Sequence, residues 1–144
     1  MTFLKVVISI FVILESANVI ALYFFPESKM ANSVGIFKAW EKSKEDPEIH
    51  DLVKYLVNWV AGTKLIFILL LLVLLIRSDE QSLLFSGAAL VLSIATFFWR
   101  LYPLVKKMDT DGQIAPKNYS KVLGWMILAM LIVFSISILI SVFV

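Results

Sequence analysis

Four long apolar blocks constrain the fold of this chain more than any other feature of its sequence. The chain has 144 residues, of which 60% are hydrophobic and only 17% are charged, whereas soluble domains carry about 25% charged residues. A water-soluble domain needs a polar surface, and too few polar residues remain here to cover four such blocks. About 20 consecutive apolar residues cross the hydrocarbon core of a bilayer. The sequence therefore predicts an integral membrane protein, with four transmembrane helices in one domain.

Helix-capping and helix-ending residues mark the limits of the four helices. Pro26 ends the first block, and Asp46–Pro47 supply an N-cap and a first helical residue for the second helix. The third helix begins at Ser78, which is followed three residues later by Gln81 in a capping-box pattern, and it is expected to end at Pro103. The predicted spans are about 3–25, 52–76, 81–102 and 119–143.

A short amphipathic helix is predicted between the first two spans. Ile36, Phe37 and Trp40 recur at helical spacing beside charged residues, a pattern typical of a helix lying at the membrane interface. The hairpin between spans two and three is very short, so these helices are expected to be antiparallel neighbours. The predicted fold is thus an all-α integral membrane protein, a four-transmembrane-helix antiparallel bundle with a short interfacial helix between spans one and two.

The distribution of lysine and arginine predicts the orientation of the bundle. One side of the membrane carries only Lys5 and Arg77. The other side carries the remaining basic residues apart from Lys64, which lie in or near the first and third connections: Lys29, Lys38, Lys42, Lys44, Lys54, Arg100, Lys106, Lys107, Lys117 and Lys121. Because basic loops face the cytoplasm, both long connections are expected there. Both termini are then non-cytoplasmic, in a plasma or inner membrane.

Two ionisable residues, Glu15 and Lys64, lie deep within the predicted spans. An ionisable side chain at the bilayer centre costs about 2.5–3.5 kcal/mol on the insertion scale, so each one needs a partner. Counted at about 1.5 Å per residue, both lie about 15 Å from the cytoplasmic ends of their helices. Opposite charges at equal depth on consecutive helices predict an intramembrane ion pair. Arg100 lies only three residues before Pro103 and is expected to snorkel to the headgroups.

The third span has one face of small and polar residues, and its opposite face is apolar. Turned at 3.6 residues per turn, the polar residues and their neighbours fall within an arc of about 80°, and they are Ser86, Ala89, Ser93, Thr96 and Arg100. We expect this span to pack against span two, with Ser86, Ser93 and Thr96 turned inward. Leu83, Leu90 and Phe97 are then expected to face lipid. Small residues and hydroxyls also line ordinary helix interfaces, so a purely structural role is the alternative for this face.

The polar faces of three helices predict a pocket between spans one, two and three. The candidate ligand-binding residues are Glu15, Asn18, Asn58, Lys64, Ser93, Thr96 and Arg100. The leading hypothesis is binding or transport of a small molecule or ion, with a proton or cation coupled through Glu15. The alternative is a non-catalytic accessory or scaffold subunit of a larger membrane complex. The expected partners are the lipid bilayer, the ligand, and either a second copy of the chain or another membrane protein.

The sequence contains no motif for catalysis, for a metal or for a cofactor. There is no cysteine, which excludes disulfides and thiolate sites, and His50 is the one histidine, interpreted as a solvated surface residue. Asp109–Gly112 resembles the middle of an EF-hand loop, but Lys107 and Asn118 stand where carboxylate ligands are needed. An intramembrane enzyme with Glu15 as general base would lack a nucleophile or metal. The scattered charges predict no nucleic-acid partner.

Overall fold

Helices account for most of the computed structural model, which describes residues 2–143. The elements are α1 (Phe3–Phe24), a 3₁₀ turn (Val34–Ile36), α2 (Lys38–Ser43), α3 (Pro47–Arg77), α4 (Glu80–Ala95), α5 (Phe97–Thr110) and α6 (Tyr119–Phe143). Helices α4 and α5 form one nearly continuous rod. In the described part of the chain, four rods are long and apolar enough to cross a membrane: α1, α3, the combined α4–α5 rod and α6. The protein is therefore all-helical, with four membrane-spanning candidates.

The N-terminus of α3 confirms the predicted cap, whereas that of α4 corrects it. The Asp46 side chain accepts hydrogen bonds from the backbone N–H groups of Glu48 and Ile49, and Pro47 is the first helical residue. At α4, Asp79 rather than Ser78 is the N-cap, and its carboxylate accepts from the Ser82 N–H at 2.7 Å. The predicted capping box was wrong by one residue, because a carboxylate is the stronger acceptor at a positive helix end.

Pro103 does not end the third span, which contradicts the sequence prediction. It lies inside α5, and the helix continues to Thr110. The irregularity lies instead at Thr96, between α4 and α5. Packing explains why the helix persists past the proline, since the Tyr102 ring lies against Gly124 of α6 and Val105 is buried in a cluster with Leu123. These tertiary contacts offset the loss of the proline N–H.

Helix α1 lies at the centre of the packing. It contacts α3, α6 and α4, while α4 and α5 both pack against α6. In its most apolar stretch 44% of the residues are buried, against 17% or less in the other three rods. Phe11 stands at the middle of this core, with its ring edge-to-face with Phe67 of α3 at 6.1 Å and with Phe134 of α6 at 5.6 Å.

The predicted packing of span three is wrong in both its partner and its face. Helix α4 packs mainly against α6 and α1, and only slightly against α3. Leu83 and Leu90, expected to face lipid, are 2% and 4% exposed, whereas Ser93 and Thr96 are exposed. Phe97 and Ser86 are both half-buried.

A glycine and local hydrogen bonds explain this reversal. Gly87 lies between the two buried leucines, and its lack of a side chain brings α4 close to Leu4 and Ile138. The hydroxyls need no partner on another helix, because Ser86 donates to the Ser82 carbonyl at 2.8 Å and Thr96 donates to the Ser93 carbonyl at 2.6 Å. Their polar face is therefore free to line open space.

The two long connections pack together at one end of the helices. Phe37 and Ile114 form an isolated antiparallel bridge, in which the Ala115 N–H donates to the Ile36 carbonyl at 2.9 Å. Behind this bridge Ile36, Val105, Ile114 and Leu123 form a small apolar core separate from that around Phe11. Helix α2 follows the bridge, so the helix predicted between the first two spans is present.

His50 is not the solvated residue that the sequence suggested. It is half-buried, its ring centre lies 5.0 Å from that of Trp40, and its Nδ1 atom is 2.9 Å from the Ser43 hydroxyl oxygen. The sequence did not show that α2 would turn back onto the first turn of α3. The histidine therefore helps to fasten α2 to α3.

Candidate functional site

The predicted ion pair between spans one and two is confirmed. The Lys64 ammonium donates to Glu15 Oε2 at 2.7 Å and to Asn18 Oδ1 at 2.6 Å. Glu15 and Asn18 lie three residues apart on α1 and therefore share one side of the helix. One lysine thus donates to two acceptors that lie about one turn apart on α1. The two charged side chains remain 30% and 23% exposed, so the pair borders open space rather than a sealed core.

Asn18 connects this pair to the first long connection. It is 7% exposed, and its Nδ2 group donates to the backbone carbonyls of Ala31 and Asn32. Both of these residues have positive φ, at 52° and 53°, which turns their carbonyls towards α1 in a tight reversal of the chain. The Asn32 side chain in turn accepts from the Tyr119 hydroxyl at the start of α6. A continuous series of polar contacts therefore runs from Glu15 to α6.

An open groove of about 470 Å³ lies beside the ion pair, and all four rods contribute to it. Five of the seven predicted site residues line it: Glu15, Lys64, Ser93, Thr96 and Arg100. The rest of the lining is apolar and consists of Phe11, Phe67, Ile94, Phe97, Leu101, Ile127 and Met130. We name this cavity, with these twelve lining residues, the lateral groove.

Two of the seven predicted residues lie outside the lateral groove. Asn18 does not line it, but its Oδ1 atom accepts the hydrogen bond from Lys64 described above. Asn58 is exposed on α3, six residues before Lys64, and contributes nothing to the lining. The structure therefore does not bring Asn58 together with the other candidates.

Sequence reasoning also missed part of the site. The predicted pocket involved spans one, two and three, yet Ile127 and Met130 of α6 complete the groove. These residues lie in α6, which is mainly apolar but has a buried serine seven residues before Ile127 (Ser120) and another seven residues after Met130 (Ser137). The two serines were the available sequence signal for the inward face of this helix.

The lateral groove carries one more positive than negative charge. Lys64 is neutralised by Glu15 at 2.7 Å. Arg100 forms no ion pair within residues 2–143, and its guanidinium carbon lies 5.5 Å from the centre of the adjacent Trp99 ring. Arg100 is exposed, as expected for a side chain that reaches towards headgroups. No acidic side chain of the described residues therefore balances its charge.

The segment that resembles an EF-hand loop has a structural role. Asp109 accepts from the Asn118 and Ser120 N–H groups at 3.1 and 2.9 Å, and from the Ser120 hydroxyl at 2.6 Å. The carboxylate therefore satisfies N–H groups at the start of α6. Across residues 2–143, no cluster of three or more histidine and acidic side chains is arranged to hold a metal ion.

Comparison with known proteins finds no family model, no curated protein and no solved structure that matches this chain.

Proposed function

We propose that the four rods form an antiparallel bundle across the membrane, with α2 at its interface. The order of contacts between helices supports this arrangement. Glu15 contacts Lys64, and Phe11, which is nearer the start of α1, contacts Phe67, which is nearer the end of α3. Helices α1 and α3 therefore run in opposite directions. The contacts of α4–α5 with α6 are ordered in the same reversed way. Trp40 of α2 is 3% exposed and faces the protein, which leaves the charged side of α2 for water and headgroups.

We further propose that both long connections are cytoplasmic and both termini are not. The two connections lie on one side of the membrane in this arrangement, because Phe37 and Ile114 pair directly. That side holds most of the basic residues, as the positive-inside rule requires of a cytoplasmic surface.

Cysteine labelling will test this orientation. The chain has no cysteine, so single cysteines replacing the exposed residues Glu45, Thr110 and Gln81 report on one position each. In intact cells a membrane-impermeant thiol reagent is expected to label the Gln81 variant and to spare the other two until the membrane is opened. The unsubstituted protein is the control for background labelling. The opposite pattern would reverse the proposed topology.

We propose that the protein binds a small amphipathic molecule in the lateral groove. The observation that carries this proposal is a set of five polar or charged side chains that line an otherwise apolar cavity. Small-molecule sites are mostly apolar cavities of about 300–1,000 Å³ with a few polar groups that fix orientation. The groove opens between membrane-spanning helices, so the ligand enters from the bilayer. The contact between Glu15 and Lys64 favours ligand binding over cation coupling through Glu15, since the lysine already neutralises the carboxylate.

Ligand-dependent stability will test this function. The protein, purified in a mild detergent, is heated with a panel of anionic, neutral and cationic amphiphiles. A ligand at 100 times its dissociation constant stabilises the folded state by about 2.7 kcal/mol, which raises the midpoint of unfolding by several degrees. At least one amphiphile is expected to give such a rise.

Matched variants will place the site. Ser93→Trp fills the groove from an exposed position and is expected to abolish the ligand-dependent rise. Leu92→Trp adds a similar volume at the neighbouring position, 71% exposed and outside the groove, and is expected to leave it unchanged. No rise with any amphiphile would reject the proposal. If the protein were also stable only beside a co-purified chain, the accessory-subunit hypothesis would be supported instead.

A further inference from the structure

We infer that the ligand of the lateral groove is a single-chain amphiphile with a carboxylate headgroup, bound by Arg100. This inference rests on the proposed function and names the chemical class of its ligand. The net charge of the groove lining is positive, which favours a negatively charged headgroup. Two cations and one anion line the groove, and the anion is already engaged by Lys64, so the unpaired charge is the positive one on Arg100.

A cationic headgroup has no free partner in the groove. Glu15 is the one acidic residue of the lining, and its Oε2 atom accepts from Lys64 at 2.7 Å. A cationic ligand would have to compete with this lysine for the carboxylate and so weaken an existing charge-assisted hydrogen bond. An anion meets no such penalty at Arg100. The arrangement therefore discriminates against cations as well as attracting anions.

Arg100 is placed to orient the headgroup. It lies four residues after Thr96 and seven after Ser93, so all three side chains occupy one side of the α4–α5 rod, and all three line the groove. A guanidinium donates two parallel hydrogen bonds to the two oxygens of a carboxylate. The Thr96 and Ser93 hydroxyls lie progressively deeper along the rod, and Lys64, with two of its three donors engaged, is able to offer the third.

The apolar part of the lining suits one hydrocarbon chain. Phe11, Phe67 and Met130 lie in the part of the groove that leads away from Arg100, in the core around Phe11. The volume of about 470 Å³ is in the lower half of the range of about 300–1,000 Å³ for small-molecule sites. This favours a ligand with one chain over a phospholipid with two.

A headgroup series on one hydrocarbon chain will test the inference. Palmitate, hexadecanol and hexadecylamine are titrated into the protein in a neutral detergent, and binding is measured from the shift in unfolding midpoint. Palmitate is expected to bind about tenfold more tightly than the alcohol, since hydrogen bonds to an ionised acceptor are about twice as strong as those between neutral groups. Arg100→Gln is expected to remove this preference. Lys106→Gln, which removes an exposed cation of the same rod from outside the groove, is the matched control and should keep it.

Each outcome has a separate meaning. Equal binding of palmitate and hexadecanol in the unsubstituted protein would overturn the inference and leave the proposed function standing, and tighter binding of the amine would overturn it in favour of Glu15. No binding of any chain would reject the proposed function itself. Loss of the preference in both variants would assign it to general surface charge.

Competition is measured with phosphatidylglycerol in nanodiscs, where displacement of palmitate by phosphatidylglycerol but not phosphatidylcholine would assign the site to a two-chain lipid. The headgroup series needs no variant, so a variant that fails to fold leaves the test intact.

Discussion

Replacing Gly35 by alanine is expected to destabilise the protein by about 3 kcal/mol, the upper end of the usual cost of overpacking. A Cβ atom at this position would lie 2.0 Å from the Glu27 carbonyl oxygen and 2.7 Å from that of Ser28. Both contacts are with backbone, so relief requires the whole first connection to move. The Gly35 N–H also donates to the Pro26 carbonyl at 2.8 Å, which fixes the position of the glycine. Thermal unfolding in detergent and proteolysis within residues 26–46 will measure the effect.

Gly62→Ala is the matched control. A Cβ atom there would lie 3.3 Å from the hydroxyl of Tyr23, the end of a side chain that is able to move. Alanine is favoured over glycine in a helix by about 1 kcal/mol, so this variant is expected to be neutral or slightly stabilising. Similar losses in both variants would show that the close approach at Gly35 is unimportant.

Lys64→Met is expected to cost about 2–3 kcal/mol of folding stability, because it leaves a carboxylate and an amide oxygen without their donor. Glu15→Gln is expected to cost less, since Lys64 keeps Asn18 as a partner at 2.6 Å and a glutamine oxygen still accepts. The double variant should recover about 1 kcal/mol relative to the sum of the single changes, as contacting residues do. Unfolding by a denaturing detergent, with all four proteins in one lipid mixture, gives the coupling.

The pair of Asp51 and Lys54 supplies the control cycle. Its ammonium and carboxylate lie 2.8 Å apart, but the side chains are 73% and 50% exposed. Exposed pairs contribute about 0–1 kcal/mol, so the coupling between Asp51→Asn and Lys54→Met should be small. If the Glu15 and Lys64 cycle gave no larger coupling, the intramembrane pair would not contribute to folding.

The ion pair was predictable because its depth follows from a fixed helical rise. Counting about 1.5 Å per residue from each helix end placed Glu15 and Lys64 at the same depth. Because a charge in a membrane needs a partner, the two were expected to pair. The start of α3 was equally predictable, because Asp46 accepts local hydrogen bonds and Pro47 has a fixed φ. Helical rise and local capping were therefore informative, although the cap of α4 was placed one residue early.

The face of α4 was not predictable in the same way. Leucine is as well placed against lipid as against another helix, so the apolar side of α4 did not reveal that Leu83 and Leu90 were buried. The Ser86 and Thr96 hydroxyls donate to carbonyls of their own rod, which removes their need for a polar neighbour. Gly87 was the informative residue, because it permits close approach to α1 and α6. The contact of Asn18 with Ala31 was also out of reach, since it depends on a backbone reversal at positive φ.

Asn18 links the residues beside the lateral groove to the first long connection. Its carbonyl oxygen binds Lys64 beside the groove, and its amide group binds the first connection. Under the proposed function, a ligand that draws Lys64 towards itself would change the free energy of holding the connection in place. Linkage then requires that a change in the connection alter the affinity of the groove by the same factor. One asparagine side chain would therefore make the proposed site sensitive to the conformation of the first long connection.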